Sequence, residues 1–175
     1  MSSDTFKNQI LETRKQIDHF FKSSEESPLA EDQKKAFQGL NYYPVNEEYH
    51  FVLKLHKFDH PDEIILIASK GDERKYILLG YFEFQVKGEV FRLTAYKIPD
   101  SEYILVPFKD ATTGIETYGG GRYINIDSVG PDLYRLDFNM AYNPYCAYNP
   151  AYSCILIPSE NILPIPIPAG QKNFD

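Results

Sequence analysis

The chain is predicted to be mainly β, with α structure confined to its N-terminus. The expected fold is an antiparallel barrel or sandwich of about eight short strands, with one or two helices before it and a long irregular Pro- and Tyr-rich segment after it. Three observations predict this. Fourteen Tyr and twelve Phe, with no Trp, favour strands and turns over a helical bundle. From residue 49 onward, apolar residues recur with a period of two. No strand–helix–strand alternation follows, so a doubly wound nucleotide fold is not expected.

Residues 4–22 carry Phe6, Ile10, Ile17 and Phe20 or Phe21 on one side, with Glu12, Lys15 and Asp18 elsewhere. That spacing predicts an amphipathic helix, with Ser3 or Asp4 as its N-cap. Residues 23–27 form a polar break. A short second helix fits residues 31–37, acidic at its start and basic near its end, as the helix dipole prefers, and Gly39 stops it. Tyr49, Phe51, Leu53 and Leu55 then alternate with His50, Val52, Lys54 and His56, which predicts a half-buried strand. Residues 64–68 are a continuous apolar run, expected as a central strand. A turn at Lys70-Gly71-Asp72 leads to a hairpin, residues 76–84 and 90–96, joined around Lys87-Gly88. Strands at 103–108, 123–127 and 133–138 complete the sheet.

Regular structure is expected to fail after Phe138. Residues 138–159 contain no charged side chain, and the tetrapeptide Ala-Tyr-Asn-Pro occurs in them twice, at residues 141–144 and 147–150. Both Asn-Pro steps push the residue before Pro out of the helical region. Beyond them, Pro164, Pro166 and Pro168 alternate with Ile165 and Ile167, so the tail is expected to run extended, at an edge or draped over the body. The chain is read as a single domain over residues 1–175: a helical segment at 4–38, the sheet at 49–138 and an irregular capping segment at 139–175.

Composition narrows the function classes. The net charge of −7 and the lack of a basic patch argue against nucleic acid as a partner. No apolar run is long enough to span a bilayer, so no membrane is expected. Residues 1–9 have polar residues and an acid where a signal peptide has a basic start and an apolar middle, which predicts a cytoplasmic location. A homo-oligomer is compatible with the sequence.

Candidate site residues gather around the charge-free segment. Gly119-Gly120-Gly121 precede Arg122. Three glycines let backbone approach a ligand, and an Arg can grip a carboxylate or phosphate with two parallel bonds; the plainer alternative pairs Arg122 with Asp110 or Asp137. The spacing is not that of a phosphate loop. Asp137 stands where the charge-free segment begins and, if buried, needs a cation or backbone partner, for which Arg122 is the attractive choice. Cys146 and Cys154 admit four readings: packing thiols, a disulfide, metal ligands or a nucleophile. All four histidines (His19, His50, His56, His60) lie far from either cysteine in sequence, and no metal or other cofactor is predicted. His50 and His56 share the polar face of one strand with Lys54. Glu160 is either an acid–base group or a loop clamp, with Asn161 beside it. The tyrosines at 142, 145, 148 and 152 either line a pocket or cover the core.

Several ordered motifs together resemble a known family. They are Gly121-Arg122-Tyr123, Leu136-Asp137-Phe138-Asn139, Ala141-Tyr142-Asn143-Pro144, Cys146-Ala147-Tyr148-Asn149, Cys154, Pro158, Glu160-Asn161 and Ala169-Gly170, with Ser27-Pro28-Leu29, Phe37-Gln38-Gly39-Leu40, Tyr43-Pro44-Val45 and Phe108-Lys109-Asp110 before them. The run resembles the bacterial domain-of-unknown-function family 1684, over roughly residues 14–172. The resemblance implies fold and motif and transfers no catalytic residue. Two departures stand out: Ile155 follows Cys154 where the family commonly has Pro, and Gln171 stands where it commonly has Glu.

Three functions fit. The preferred one is a binding module for an anionic or aromatic small molecule, with Arg122, Asp137, Asn139, Tyr142, Asn143, Cys146, Tyr148, Cys154, Glu160 and Asn161 around its pocket. The second is a hydrolase-like enzyme using Asp137, Glu160 or Cys146. The third is a structural or interaction protein, docking through the first helix and the Ile-Pro tail.

Overall fold

A computed structural model describes residues 3–174. Two helices, α1 (Ser3–Ser23) and α2 (Glu31–Ala36), precede eight antiparallel strands. The strands are β1 (His50–Lys54), β2 (His56–Lys57), β3 (Glu63–Ile67), β4 (Glu73–Val86), β5 (Glu89–Lys97), β6 (Ile104–Phe108), β7 (Arg122–Gly130) and β8 (Leu133–Asp137). Helix α1 starts at Ser3, which puts Ser3 and Asp4 inside its first turn and not at the N-cap.

Strands β4 to β8 form a meander in which each pairs with the next. Closure comes from residues 50–57. Their first half, β1, pairs with β8, and their second half, β2, pairs with β4. Leu55, buried at the bend between the halves, turns the backbone from one end of the sheet to the other. At that crossing a Cβ on Gly80 would lie 2.3 Å from the His56 carbonyl oxygen, so the two backbones can meet only over a glycine. The result is a nearly closed barrel.

The alternation noted in the sequence now has a physical meaning. Phe82, Phe84, Leu93, Ala95, Val106, Ile124 and Leu136 point inward and are nearly inaccessible. Phe138 sits at the barrel's centre, within 5.3–6.1 Å of the rings of Phe51, Phe84 and Phe108. The continuous run at 64–68 is not a central strand. It forms β3, which pairs with β4 alone, and Ile65 and Ile67 are 53% and 44% exposed. The strand buried on both faces is β6, whose five residues are all covered: Val106 and Phe108 face the barrel interior, while Leu105 packs under the C-terminal segment with Tyr123 and Ile155.

After β8 the chain makes three isolated 3-10 turns (Phe138–Met140, Tyr145–Ala147 and Ser159–Asn161) and no further strand among the described residues. The Ile-Pro tail is more than a drape. Leu163, Ile167 and Ala169 enter the barrel core and stopper one end of it. What holds the stopper is Arg122, at the start of β7. Its guanidinium is 1% exposed and donates to the carbonyl oxygens of Ala169, Gln171 (3.2 Å) and Ile167 (3.0 Å), and to Asp110 Oδ2 (3.3 Å). Asp110 also accepts from the Ile167 backbone N–H (2.6 Å) and from the hydroxyls of Thr112 and Thr113. Burial pushes the Arg122 guanidinium below its usual pKa, and Asp110 opposes that shift.

The buried pair makes a testable demand. Arg122→Ala strands a carboxylate in the core, and urea denaturation should show a loss of about 3–5 kcal/mol. The double variant Arg122→Met/Asp110→Leu should recover only part of that loss: it removes the unpaired charge but leaves the tail carbonyls and the Ile167 N–H without their partners. A single variant within 1 kcal/mol of wild type would show that the tail is held by packing alone.

Candidate functional site

Because the barrel interior is filled with side chains, the space open to a ligand is sought on its outer surface. A groove of about 1420 Å³ runs between α1, the outer face of the sheet and the segment that follows β8. Its floor is the outward-pointing set on adjacent strands: His50 and Val52 of β1, Asp137 and Arg135 of β8, Tyr123, Asn125 and Asp127 of β7, and Leu105 of β6. One wall is the apolar stripe of α1, with Phe6, Ile10, Ile17 and Phe21. Arg14 fixes that helix. It donates to the carbonyl oxygens of Tyr43 (2.9 Å) and Asn139 (3.3 Å), and its guanidinium lies 4.3 Å from the centre of the Tyr42 ring.

One end of the groove is built from tyrosines. Tyr142 and Tyr123 exchange backbone hydrogen bonds (2.9 and 3.0 Å) and set their rings edge to face at 5.9 Å. The Tyr142 hydroxyl donates to Asn125 Oδ1 at 2.6 Å, and the Tyr103 hydroxyl donates to the same oxygen. The two hydroxyls are 3.2 Å apart. Tyr76 and Leu105 extend the apolar surface. With both hydroxyls on its oxygen, the Asn125 amide nitrogen has no acceptor among the described residues and remains a donor within a largely aromatic surface.

The same floor holds a carboxylate–imidazole pair. His50 and Asp137 stand directly opposite each other across β1 and β8, and Nδ1 of the histidine is 3.0 Å from Asp137 Oδ2. The second carboxylate oxygen accepts from the Asn139 backbone N–H and side-chain amide, both at 2.9 Å. Asp137 is thereby fixed, and the imidazole with it. If Nδ1 carries the proton toward the carboxylate, Nε2 is left as an acceptor.

Several expected site residues do other work. Arg122 does not reach the groove; its partner is Asp110 and not Asp137, because the tail carbonyls and that carboxylate occupy its NH1 and NH2 groups. Gly121, just before it, serves packing, since a Cβ there would press on the Phe108 carbonyl at 2.8 Å. Asn161 is a fully buried clamp that donates to the carbonyls of Thr94 and Pro107 and accepts from the Thr94 N–H. Glu160 is exposed and accepts from Tyr96. Asn139 ties Asn46 to Asp137. Tyr148 packs on Phe21 and donates to Gln171, whose side chain also accepts from the Asn143 N–H. Asp137, Asn139, Tyr142, Asn143 and Cys154 do line the groove, while Cys146 stands beside Cys154, both as thiols. His50 and His56 do not form a pair: His56 stacks on Tyr81.

Sequence reasoning missed Asn125, Tyr103 and the His50–Asp137 pair. Asn125 carried a signal, because it alternates with the inward Ile124 and Ile126. The pair carried none, because it depends on strand register across 87 positions.

The model of the family described as "Protein of unknown function (DUF1684)" matches residues 35–172. Helix α1 lies outside that match. The solution NMR structure of an uncharacterized protein from Haloarcula marismortui is similar over 98% of this chain and 97% of that one, at 31% identity and a TM-score of 0.74. No curated protein matches.

The tyrosines generate a pH prediction. Burial pushes Tyr42 up from 10.0 to about 12, and it raises Tyr123, Tyr142 and Tyr148 as well. Between the unfolded and folded values the native state keeps protons that the unfolded chain has lost, so stability falls as pH rises. The urea midpoint should fall as pH rises above about 10, with these phenols ionising together with unfolding. Fourteen tyrosines titrating independently near pH 10 in the folded protein, by ultraviolet absorbance, would contradict this assignment.

Proposed function

We propose that this chain, which belongs to the DUF1684 family, is a binding module that takes a planar aromatic small molecule bearing a hydrogen-bond acceptor into the groove between α1 and the barrel. The observation that carries the reading is the convergence of the Tyr103 and Tyr142 hydroxyls on Asn125 at the aromatic end of that groove. Ligand sites combine apolar walls with a few placed polar groups, and this end has both. The groove exceeds the roughly 300–1,000 Å³ of a typical small-molecule site, so the ligand fills one end of it. Ring stacking on Tyr76, Tyr123 or Tyr142 supplies area. The Asn125 amide fixes orientation. Arg135, held only at 3.9 Å by Asp127, is available to a carboxylate substituent.

The test is a thermal-shift screen of aromatic metabolites on wild type and on Asn125→Ala. Asn125→Ala removes the acceptor shared by two tyrosine hydroxyls, so each protein's shift is read against its own ligand-free melting temperature. A ligand at a hundred times its Kd should stabilise wild type by about 2.7 kcal/mol, and the variant should bind about tenfold more weakly. A screen without stabilising aromatics, or equal shifts in the two proteins, would remove this reading.

A second reading, a hydrolase with His50 as general base, rests on the Asp137–His50 contact in the same groove. It expects ester hydrolysis that His50→Gln abolishes without lowering the melting temperature. Activity retained in that variant would exclude His50 as the base.

A further inference from the structure

The thiol pair is not used by either reading above, and its geometry is more than packing requires. Cys146 lies in the 3-10 turn Tyr145–Ala147, and Cys154 lies where the chain rejoins β3 through the Ala68–Ile155 bridge. The Cys146 backbone N–H donates to Cys154 Sγ at 3.4 Å, which sets the second sulfur against the residue that carries the first. The Tyr118 hydroxyl is 3.6 Å from Cys146 Sγ. Both thiols are half-buried, and Cys154 opens onto the groove.

The chain between them is pinned. Tyr148 and Asn149 donate to the Tyr145 carbonyl, Ala151 donates to the Asn149 side chain, and the Ser69 N–H donates to the Cys154 carbonyl at 2.9 Å. Two cysteines held side by side by a pinned loop have already lost most of the entropy that a disulfide would otherwise have to remove. Buried packing thiols need no such arrangement.

The charges around the pair favour one thiolate. The neighbouring Cys154 thiol favours the Cys146 thiolate, burial opposes it, and the Tyr118 hydroxyl favours it as well; Cys146 is drawn down from 9.0 to about 6. The proton that remains is held more tightly, and Cys154 is pushed up. Burial and the contact with Cys146 raise Tyr118 to about 12, so it stays protonated and donating. Tyr76 and Tyr123 also face the pair, and Arg74, bonded to the Ser153 carbonyl at 2.8 Å, is the nearby cation.

We propose that Cys146 and Cys154 form a dithiol–disulfide exchange site whose substrate is a low-molecular-weight disulfide, with Cys146 attacking and Cys154 resolving. In the first step the Cys146 thiolate forms a bond to one sulfur of the substrate. The substrate S–S bond breaks, and the departing thiolate takes a proton from solvent. In the second step Cys154 gives up its proton and attacks Cys146 Sγ. The mixed disulfide breaks and the second small thiol leaves with that proton. Two protein thiols are oxidised to one disulfide, and one small disulfide is reduced to two thiols. Tyr118 is a positioning residue that donates a hydrogen bond to the attacking sulfur.

This proposal does not depend on the aromatic-ligand reading. Its readouts are mass and released thiol, which an empty groove leaves unchanged. The reduced full-length protein is treated with bis(2-hydroxyethyl) disulfide and followed by intact mass. Wild type should lose two hydrogens and release two equivalents of small thiol, with peptide mapping placing the bond between Cys146 and Cys154. Cys154→Ser should stop at a mixed disulfide on Cys146, and Cys146→Ser should react at least about tenfold more slowly at pH 7. The wild-type rate should be half-maximal near pH 6, and Tyr118→Phe should move that midpoint upward. If a serine variant fails to fold, the wild-type mass and pH profile decide alone. Separate mixed disulfides on both cysteines, or thiols inert until denaturation, would overturn the proposal.

Discussion

The buried Arg122–Asp110 pair is the contact on which the rest of the molecule depends. A barrel end is a hole, and this chain fills it with its own C-terminal segment. Prolines at 164, 166 and 168 keep that segment extended and leave it without the N–H groups of those residues. Its carbonyls must nonetheless find donors once they are out of water. One guanidinium answers three of them, and Asp110 balances its charge while accepting from the only N–H of the stretch that points its way. A lysine could not do this, because a point charge lacks the fork that reaches several acceptors in one plane. The interaction is costly to bury and costlier to break, which makes it a specifier of one tail position more than a source of net stability.

That choice decides where function can reside. With the interior occupied by Phe108, Phe138, Ile167 and Ala169, no ligand can enter the barrel from the plugged end. The groove lies on the outer surface, where α1 and the segment after β8 stand away from the strands. The groove is thus a product of assembly: its floor belongs to the sheet, one wall to the first helix, and its tyrosine and cysteine margin to the irregular segment. No single stretch of sequence contains it.

That division explains what could be read in advance. Strands were legible because period two survives wherever one face is wet and the other dry, as in residues 49–55 and 123–127. The helices were legible for the corresponding reason at period 3.6. Residues 64–68 misled because an apolar run signals burial on both faces, whereas β3 exposes Ile65 and Ile67 at the sheet margin while β6, interrupted by Pro107, is the covered strand. The concentration of unusual residues in 138–161 marked an important segment, but most of its polar side chains satisfy backbone. Asn139 and Asn161 show why: a buried carboxamide replaces a missing ladder, and nothing in the residue type separates that role from ligand contact. Register joined His50 to Asp137, and register is set by all the intervening turns together.

The strand at residues 50–57 gives the sheet the character of a hoop. In an open sheet, a marginal strand can fray while its neighbours hold, so opening proceeds in small local steps. Here the same eight residues are stitched to β8 along one half and to β4 along the other. Loosening either seam removes the anchor of the other. A molecule gripping the groove floor at His50 and Val52 would therefore also grip the clasp of the whole hoop, and occupancy of the surface and integrity of the interior would become one equilibrium.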